Sequence, residues 1–104
     1  MMLTKEEARE LAYSQIKNNR VECVIMDEYT VEEEFGYMFS YQSKRFAETQ
    51  DWNDMLVGGG SIIVNKHDGS IHQIGSNRPG EYFAKKYLEE WKREQQNLRE
   101  RKNA

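Results

Sequence analysis

The chain has 104 residues, 38% hydrophobic and 32% charged, a length that fits one domain and leaves little room for a second core. Its 15 basic and 18 acidic side chains leave a net charge of -3, which speaks against a general nucleic-acid binder, because such proteins carry a basic excess. A single cysteine excludes an internal disulfide and fits a reducing compartment. The longest charge-free apolar stretch, Met55 to Asn65, falls short of the roughly 20 residues a membrane helix needs. Met1-Met2-Leu3-Thr4 runs into Lys5, Glu6 and Glu7 without an apolar h-region. The reading is a soluble, cytoplasmic protein without membrane contact.

From Thr4 to about Asn19, the spacing of Ala8, Leu11, Ala12 and Ile16 predicts one apolar helical face. Thr4 followed by Glu7 is a capping-box signal, and Leu3 is placed to staple onto Ala8. Val21 to Val31 is rich in β-branched and aromatic residues and reads as a strand, with Glu32-Glu33-Glu34 as the connection after it. Phe35, Tyr37, Phe39 and Tyr41 then alternate with Gly36, Met38, Ser40 and Gln42, which predicts a strand with an aromatic ladder on one face.

Ser43 to Val57 is a polar excursion, a loop or short helix anchored by Phe46, Trp52, Met55 and Leu56. Gly58-Gly59-Gly60 ends it, and Ile62-Ile63-Val64 restarts the sheet over Ser61 to Asn65. Asp68-Gly69 marks a hairpin turn into a fourth strand, Ser70 to Gly75. Pro79 suits the first turn of a helix, and Phe83, Ala84, Tyr87, Leu88 and Trp91 form its apolar stripe. The predicted fold is α+β: a four-stranded antiparallel sheet packed against an N-terminal and a C-terminal helix, both on one face. It forms one domain over residues 1–104, with its core in about 4–91 and 92–104 as a helical extension or frayed tail.

Charge is unevenly spread. Six acidic residues, Glu22, Asp27, Glu28, Glu32, Glu33 and Glu34, lie between positions 22 and 34 with no basic one among them, while residues 82–104 hold seven basic and four acidic groups. An acidic sheet edge either steers a basic partner toward it or keeps an exposed strand from aggregating.

The other candidates point to structure rather than chemistry. Cys23 sits between Glu22 and Val24, an acidic and apolar setting that raises a thiol pKa. His67 and His72 lack a metal-ligand spacing. Gly58-Gly59-Gly60 precedes a strand, whereas phosphate loops precede a helix. Asp51 and Asp54 flank Trp52 without a convergent base. The aromatic ladder could stack bases, but its neighbours are glutamates where RNA-binding sheets carry basic residues. Neither an enzyme nor a cofactor or metal site is expected.

Phe35-Gly36-Tyr37-Met38-Phe39-Ser40-Tyr41-Gln42-Ser43-Lys44 and Gly58-Gly59-Gly60-Ser61-Ile62-Ile63-Val64-Asn65-Lys66, followed by Asp68-Gly69-Ser70-Ile71, Gly75-Ser76, Pro79, Glu81-Tyr82-Phe83 and Tyr87, resemble the immunity protein 35 family, which includes YrhB-like proteins. Tyr37 stands where that family typically has tryptophan, Ser61 where it tends to have proline, and Asn65 where aspartate is usual. The resemblance implies a small α+β protein that neutralises a cognate protein toxin in bacterial polymorphic toxin systems, and it carries no catalytic residues. On this reading the partner interface is Asp27, Glu28, Glu32, Glu33 and Glu34, with Asp51, Trp52 and Asp54 as a second patch where an aromatic sits among charges. The competing expectation is a chaperone-like or general interaction module that binds through exposed aromatic and Met-rich surface, with Met26, Met38 and Met55 as adaptable contacts where they are exposed.

Overall fold

The computed structural model describes residues 2–51, 53, 60–74 and 80–102. Helix α1, Lys5–Ser14, starts where the sequence places it: Thr4 accepts from the Glu7 amide, and the Glu7 carboxylate accepts from the Thr4 amide in return. The helix ends at Ser14, earlier than the spacing suggests. Turns then carry the chain on and deliver Ile16 into the core at 1% exposure.

The sheet has five strands rather than four, because the segment expected as one strand is interrupted. Strand β1 is Cys23–Ile25, a 3-10 turn occupies Asp27–Tyr29, and β2 is Val31–Glu33. Both pair antiparallel with β3, Gly36–Ser43. Ile25 stands opposite Tyr41 and Val31 opposite Met38. Six steps along the edge thus match three along β3, and the surplus is taken up by the three-residue 3-10 turn. Glu32 and Glu33 belong to β2 and not to a connection.

A short helix α2, Lys44–Thr49, follows β3 and is capped by the Ser43 hydroxyl, which accepts from the Phe46 amide at 3.1 Å. Of the residues expected to anchor this excursion, Phe46 is half-buried in α2, while Trp52, Met55 and Leu56 lie outside the described residues, as do Gly58, Gly59, Gly75 and Pro79. Strand β4, Ser61–Asn65, pairs with β3 and with β5, Ile71–Ile74. The closing helix α3 runs from Gly80 to Lys102, so the expected extension past Trp91 is helical as far as Lys102.

The two long helices lie on opposite faces of the sheet, contrary to the one-face expectation. Ala8, Ala12 and Ile16 of α1 pack with Phe39, Ile62 and Val64. Ala84 of α3, with Tyr87, Leu88 and Trp91 at its border, packs with Met38 and Ile63. Because neighbouring residues of a strand point to opposite faces, Ile62-Ile63-Val64 supplies both cores, and every residue of β4 is buried.

The aromatic ladder divides accordingly. Tyr37, Phe39 and Tyr41 serve the α1 face, but Phe35 precedes β3 and packs on the α3 face, edge-on to Tyr87 at 4.6 Å. Gly36 makes that crossing possible. Its φ is +146°, and a Cβ there would lie 2.2 Å from the Val64 carbonyl oxygen, a position that only glycine can occupy.

Candidate partner-binding surface

The acidic segment forms the β1–β2 border of the sheet, and most of its charges are engaged within the fold. Asp27 accepts two hydrogen bonds from Arg9 of α1, at 2.8 and 3.0 Å. Those bonds hold the Asp27 carboxyl below its ordinary pKa and raise that of Arg9. Glu32 meets Lys5 of α1 at 2.9 Å and raises the pKa of its ammonium. Glu34 meets Lys92 of α3 at 3.3 Å, and Glu22 meets Lys44 at 3.8 Å. These contacts tie the helices on both faces to one sheet border.

Glu28 and Glu33 have no ion-pair partner among the described residues; Glu28 is exposed, whereas Glu33 is half-buried on the face of β2 that it shares with Val31, at the border of the α3 core. Between Asp27 and Glu28 on one side and Thr30 on the other, Tyr29 is 62% exposed. The sequence reading took Tyr29 as a strand former; the 3-10 turn instead lifts it off the sheet. An exposed aromatic beside carboxylates is a common anchor of protein interfaces.

The second expected patch is separate. Asp51 follows α2, which leaves β3 at Ser43, whereas Glu33 pairs with Gly36 at the other end of β3, about 23 Å away along the strand. Asp51 is exposed, and its carboxylate accepts from the Asn53 amide at 2.9 Å. Trp52 and Asp54 lie outside the described residues.

A feature that the sequence reading missed lies between the β4–β5 hairpin and α3. The β4–β5 hairpin and α3 enclose a groove of about 570 Å³. Its frame is Asn65, 3% exposed, whose side-chain oxygen accepts from the amides of His67 and Asp68 and whose amide donates to the Tyr87 hydroxyl at 3.2 Å. Gly69 closes the turn with φ +76°. Ser70 donates its amide to Asp68 at 2.8 Å and lowers that carboxyl's pKa. The His67 ring stacks on Trp91 at 5.2 Å and hydrogen-bonds the Glu34 carbonyl at 2.9 Å, while His72 lies 5.3 Å from the Tyr87 ring. Both histidines are therefore engaged in local structure. No cluster of three or more potential metal ligands occurs among the described residues.

Cys23 is 3% exposed, and its thiol donates to the Val21 carbonyl at 3.2 Å, a packed position rather than a reactive one. Among the described residues no helix is long and apolar enough to cross a membrane.

The surface is thus one of binding features: a charged border with an exposed tyrosine, and a groove between the hairpin and α3. The sequence pattern of immunity protein 35 matches residues 6–94. The chain belongs to the immunity protein 35 family. This immunity protein 35 member is also 33% identical over 52 residues to the uncharacterized protein YrhB of Escherichia coli (strain K12). That alignment takes in 50% of this chain and 55% of YrhB, so the chain spans about half the length of the curated relative it matches. No solved structure matches it.

Tyr37, Ser61 and Asn65, the departures expected from the resemblance, each have a place within the fold. Tyr37 borders the α1 core and contacts Phe39 at 6.0 Å. Ser61 faces Ser40 with their hydroxyls 3.3 Å apart. Asn65 frames the hairpin, and an aspartate there would keep both backbone amides bonded while taking a hydrogen bond from Tyr87.

Proposed function

We propose that this chain neutralises a cognate protein toxin by binding it, without catalysis, in the cytoplasm of a bacterium with a polymorphic toxin system. The acidic border from Asp27 to Glu34 lies over a basic active surface of the toxin, and Asp51, Trp52 and Asp54 add a second contact. The observation that supports this reading is the exposed Tyr29 flanked by carboxylates, beside Glu28, which is exposed and has no ion-pair partner among the described residues. A surface of one charge sign speeds association with an opposite one and disfavours like-charged partners.

The chaperone-like reading calls for exposed aromatic and methionine side chains together. Met26 and Met38 are buried at 8% and 1% exposure, and Met55 lies outside the described residues. The two buried methionines fill the core and offer no adaptable binding surface.

The test is capture of the tagged protein's partners from lysate of its source organism at low and high salt, identified by mass spectrometry, followed by association kinetics. One dominant, salt-sensitive toxin is expected. Glu28→Lys with Glu33→Lys should slow its association about tenfold or more at low salt, because neither carboxylate has an ion-pair partner among the described residues; circular dichroism confirms that the variant stays folded, since Glu33 is half-buried. A captured toxin whose association rate and salt dependence ignore these changes would remove the acidic border as the interface. A broad spread of unrelated polypeptides would overturn toxin neutralisation itself.

A further inference from the structure

We propose that α3 carries a self-association surface, in which the basic end of the helix in one copy lies antiparallel in the hairpin groove of a second copy. This inference is independent of the toxin-binding reading. It uses α3 and the β4–β5 hairpin, and neither Glu28 nor Glu33 lines that groove.

The groove between α3 and the β4–β5 hairpin presents the carboxylates of Asp68, Glu90 and Glu94 beside Trp91 and Leu98, and among the described residues no lysine or arginine lines it. The same helix then outruns the body. The molecule extends 56 Å along its long axis against 26 and 21 Å across it, and Lys92 to Arg101 are exposed except for half-buried Gln95. Positions 92–102 carry five basic and two acidic residues. Each chain therefore carries both an anionic groove and a cationic rod.

Their dimensions agree. The groove follows α3 from Tyr87 to Leu98, about 16 Å of helix, and the rod from 92 to 102 is about 15 Å long. Leu98, 43% exposed, lies seven residues past Trp91 and so on the same stripe, as Arg101 does relative to Glu94. With two antiparallel helices crossing between Glu94 and Gln95, Leu98 of each copy meets Trp91 of the other. Arg99 and Arg101 then come alongside the other copy's Glu90.

The helix dipole by itself rewards basic residues in a last turn. It does not account for carboxylates aligned along the groove at the other half of the helix, nor for an apolar Leu98 in the exposed half. A two-fold contact explains both, because the surface is complementary to itself and closes as a dimer. The overlap is short for a stable interface, so a reversible, salt-weakened dimer with micromolar affinity is expected.

The test is sedimentation of the full chain across a micromolar concentration series at low and high salt. Mass should rise from 12.4 kDa toward twice that value, less so at high salt. Two charge-reversed variants decide the geometry: Glu90→Arg with Glu94→Arg in the groove, and Arg99→Glu with Arg101→Glu in the rod. Each alone should lose about tenfold or more in self-affinity, with circular dichroism confirming that it stays folded. Mixing them should restore association as a heterodimer, since both contacts in the mixed pair regain opposite charges. A wild-type chain that stays monomeric throughout the low-salt series overturns the proposal. So does a dimer that survives in both variants, or a mixture that associates no better than either variant alone.

Discussion

The hairpin frame at Asn65 makes the sharpest stability prediction. Asn65→Ala removes an acceptor for the His67 and Asp68 amides, at 2.8 and 3.3 Å, and the donor to the Tyr87 hydroxyl at 3.2 Å. At about 1 kcal/mol net per hydrogen bond the loss approaches 3 kcal/mol, and water reaching the two loop amides trims it to about 2–3. Asn65→Asp keeps both amide bonds and needs only that Tyr87 donate where it now accepts, so it should cost under about 1 kcal/mol. Urea unfolding checks this directly. With an m-value of about 1–3 kcal/mol/M, the alanine midpoint should fall on the order of 1–2 M and the aspartate midpoint by a few tenths. Tyr87→Phe should cost about 1 kcal/mol alone and less in an Asn65→Ala background, because the pair shares one bond. Equal losses for alanine and aspartate would refute the reasoning, since they would make the side chain's shape, rather than its acceptor, the source of stability.

Two further perturbations follow from the fold. Gly36→Ala places a Cβ 2.2 Å from the Val64 carbonyl oxygen and 2.7 Å from the Lys66 amide nitrogen, both backbone atoms, at φ +146°; strain and overpacking together should cost about 2–5 kcal/mol in a denaturant melt, and an unchanged midpoint would mean that β3 and β4 can separate freely at that end. Asp27→Asn tests the tie between α1 and the acidic border through pH. The folded pKa of Asp27 is lowered by Arg9, so its contribution is complete above the ordinary carboxylate range near pH 4 and is lost as pH falls through the lowered folded value. The pair is exposed, which limits the effect to about 0.2–1 kcal/mol at neutral pH; wild type and variant should converge in acid, and a gap that stays constant with pH would contradict the assignment.

Much of the fold is legible because its signals are local. The Thr4 and Glu7 capping box sets the start of α1, the alternation from Tyr37 to Tyr41 sets β3, and Asp68-Gly69 sets the hairpin. What escapes reading depends on pairing or packing at a distance. The break between β1 and β2 shows only once Ile25 and Val31 are matched against β3, since Val21 to Val31 is β-prone throughout. The two-sided core did leave a trace. An unbroken Ile62-Ile63-Val64 run is the pattern of a strand covered on both faces, and it outweighs the inference of a one-faced sheet drawn from hairpin connections. The groove needs residues 65–72 beside 87–98, and no spacing within either segment announces that meeting.

The same distance problem governs the charges. Six acidic residues between positions 22 and 34 suggest a strong field, yet Glu22, Asp27, Glu32 and Glu34 meet Lys44, Arg9, Lys5 and Lys92. Their partners lie on three different helices, so no sequence window could show that they cancel. The potential a partner meets at this border therefore comes chiefly from exposed Glu28, next to Tyr29, with half-buried Glu33 adding to it. The engaged acids do a different task, fixing α1 and α3 to the border that carries Glu28. Reversing an engaged acid disturbs both helix and field, whereas reversing exposed Glu28 disturbs the field alone. That separation makes Glu28 the right probe of recognition: a binding defect produced there cannot be assigned to a loosened helix.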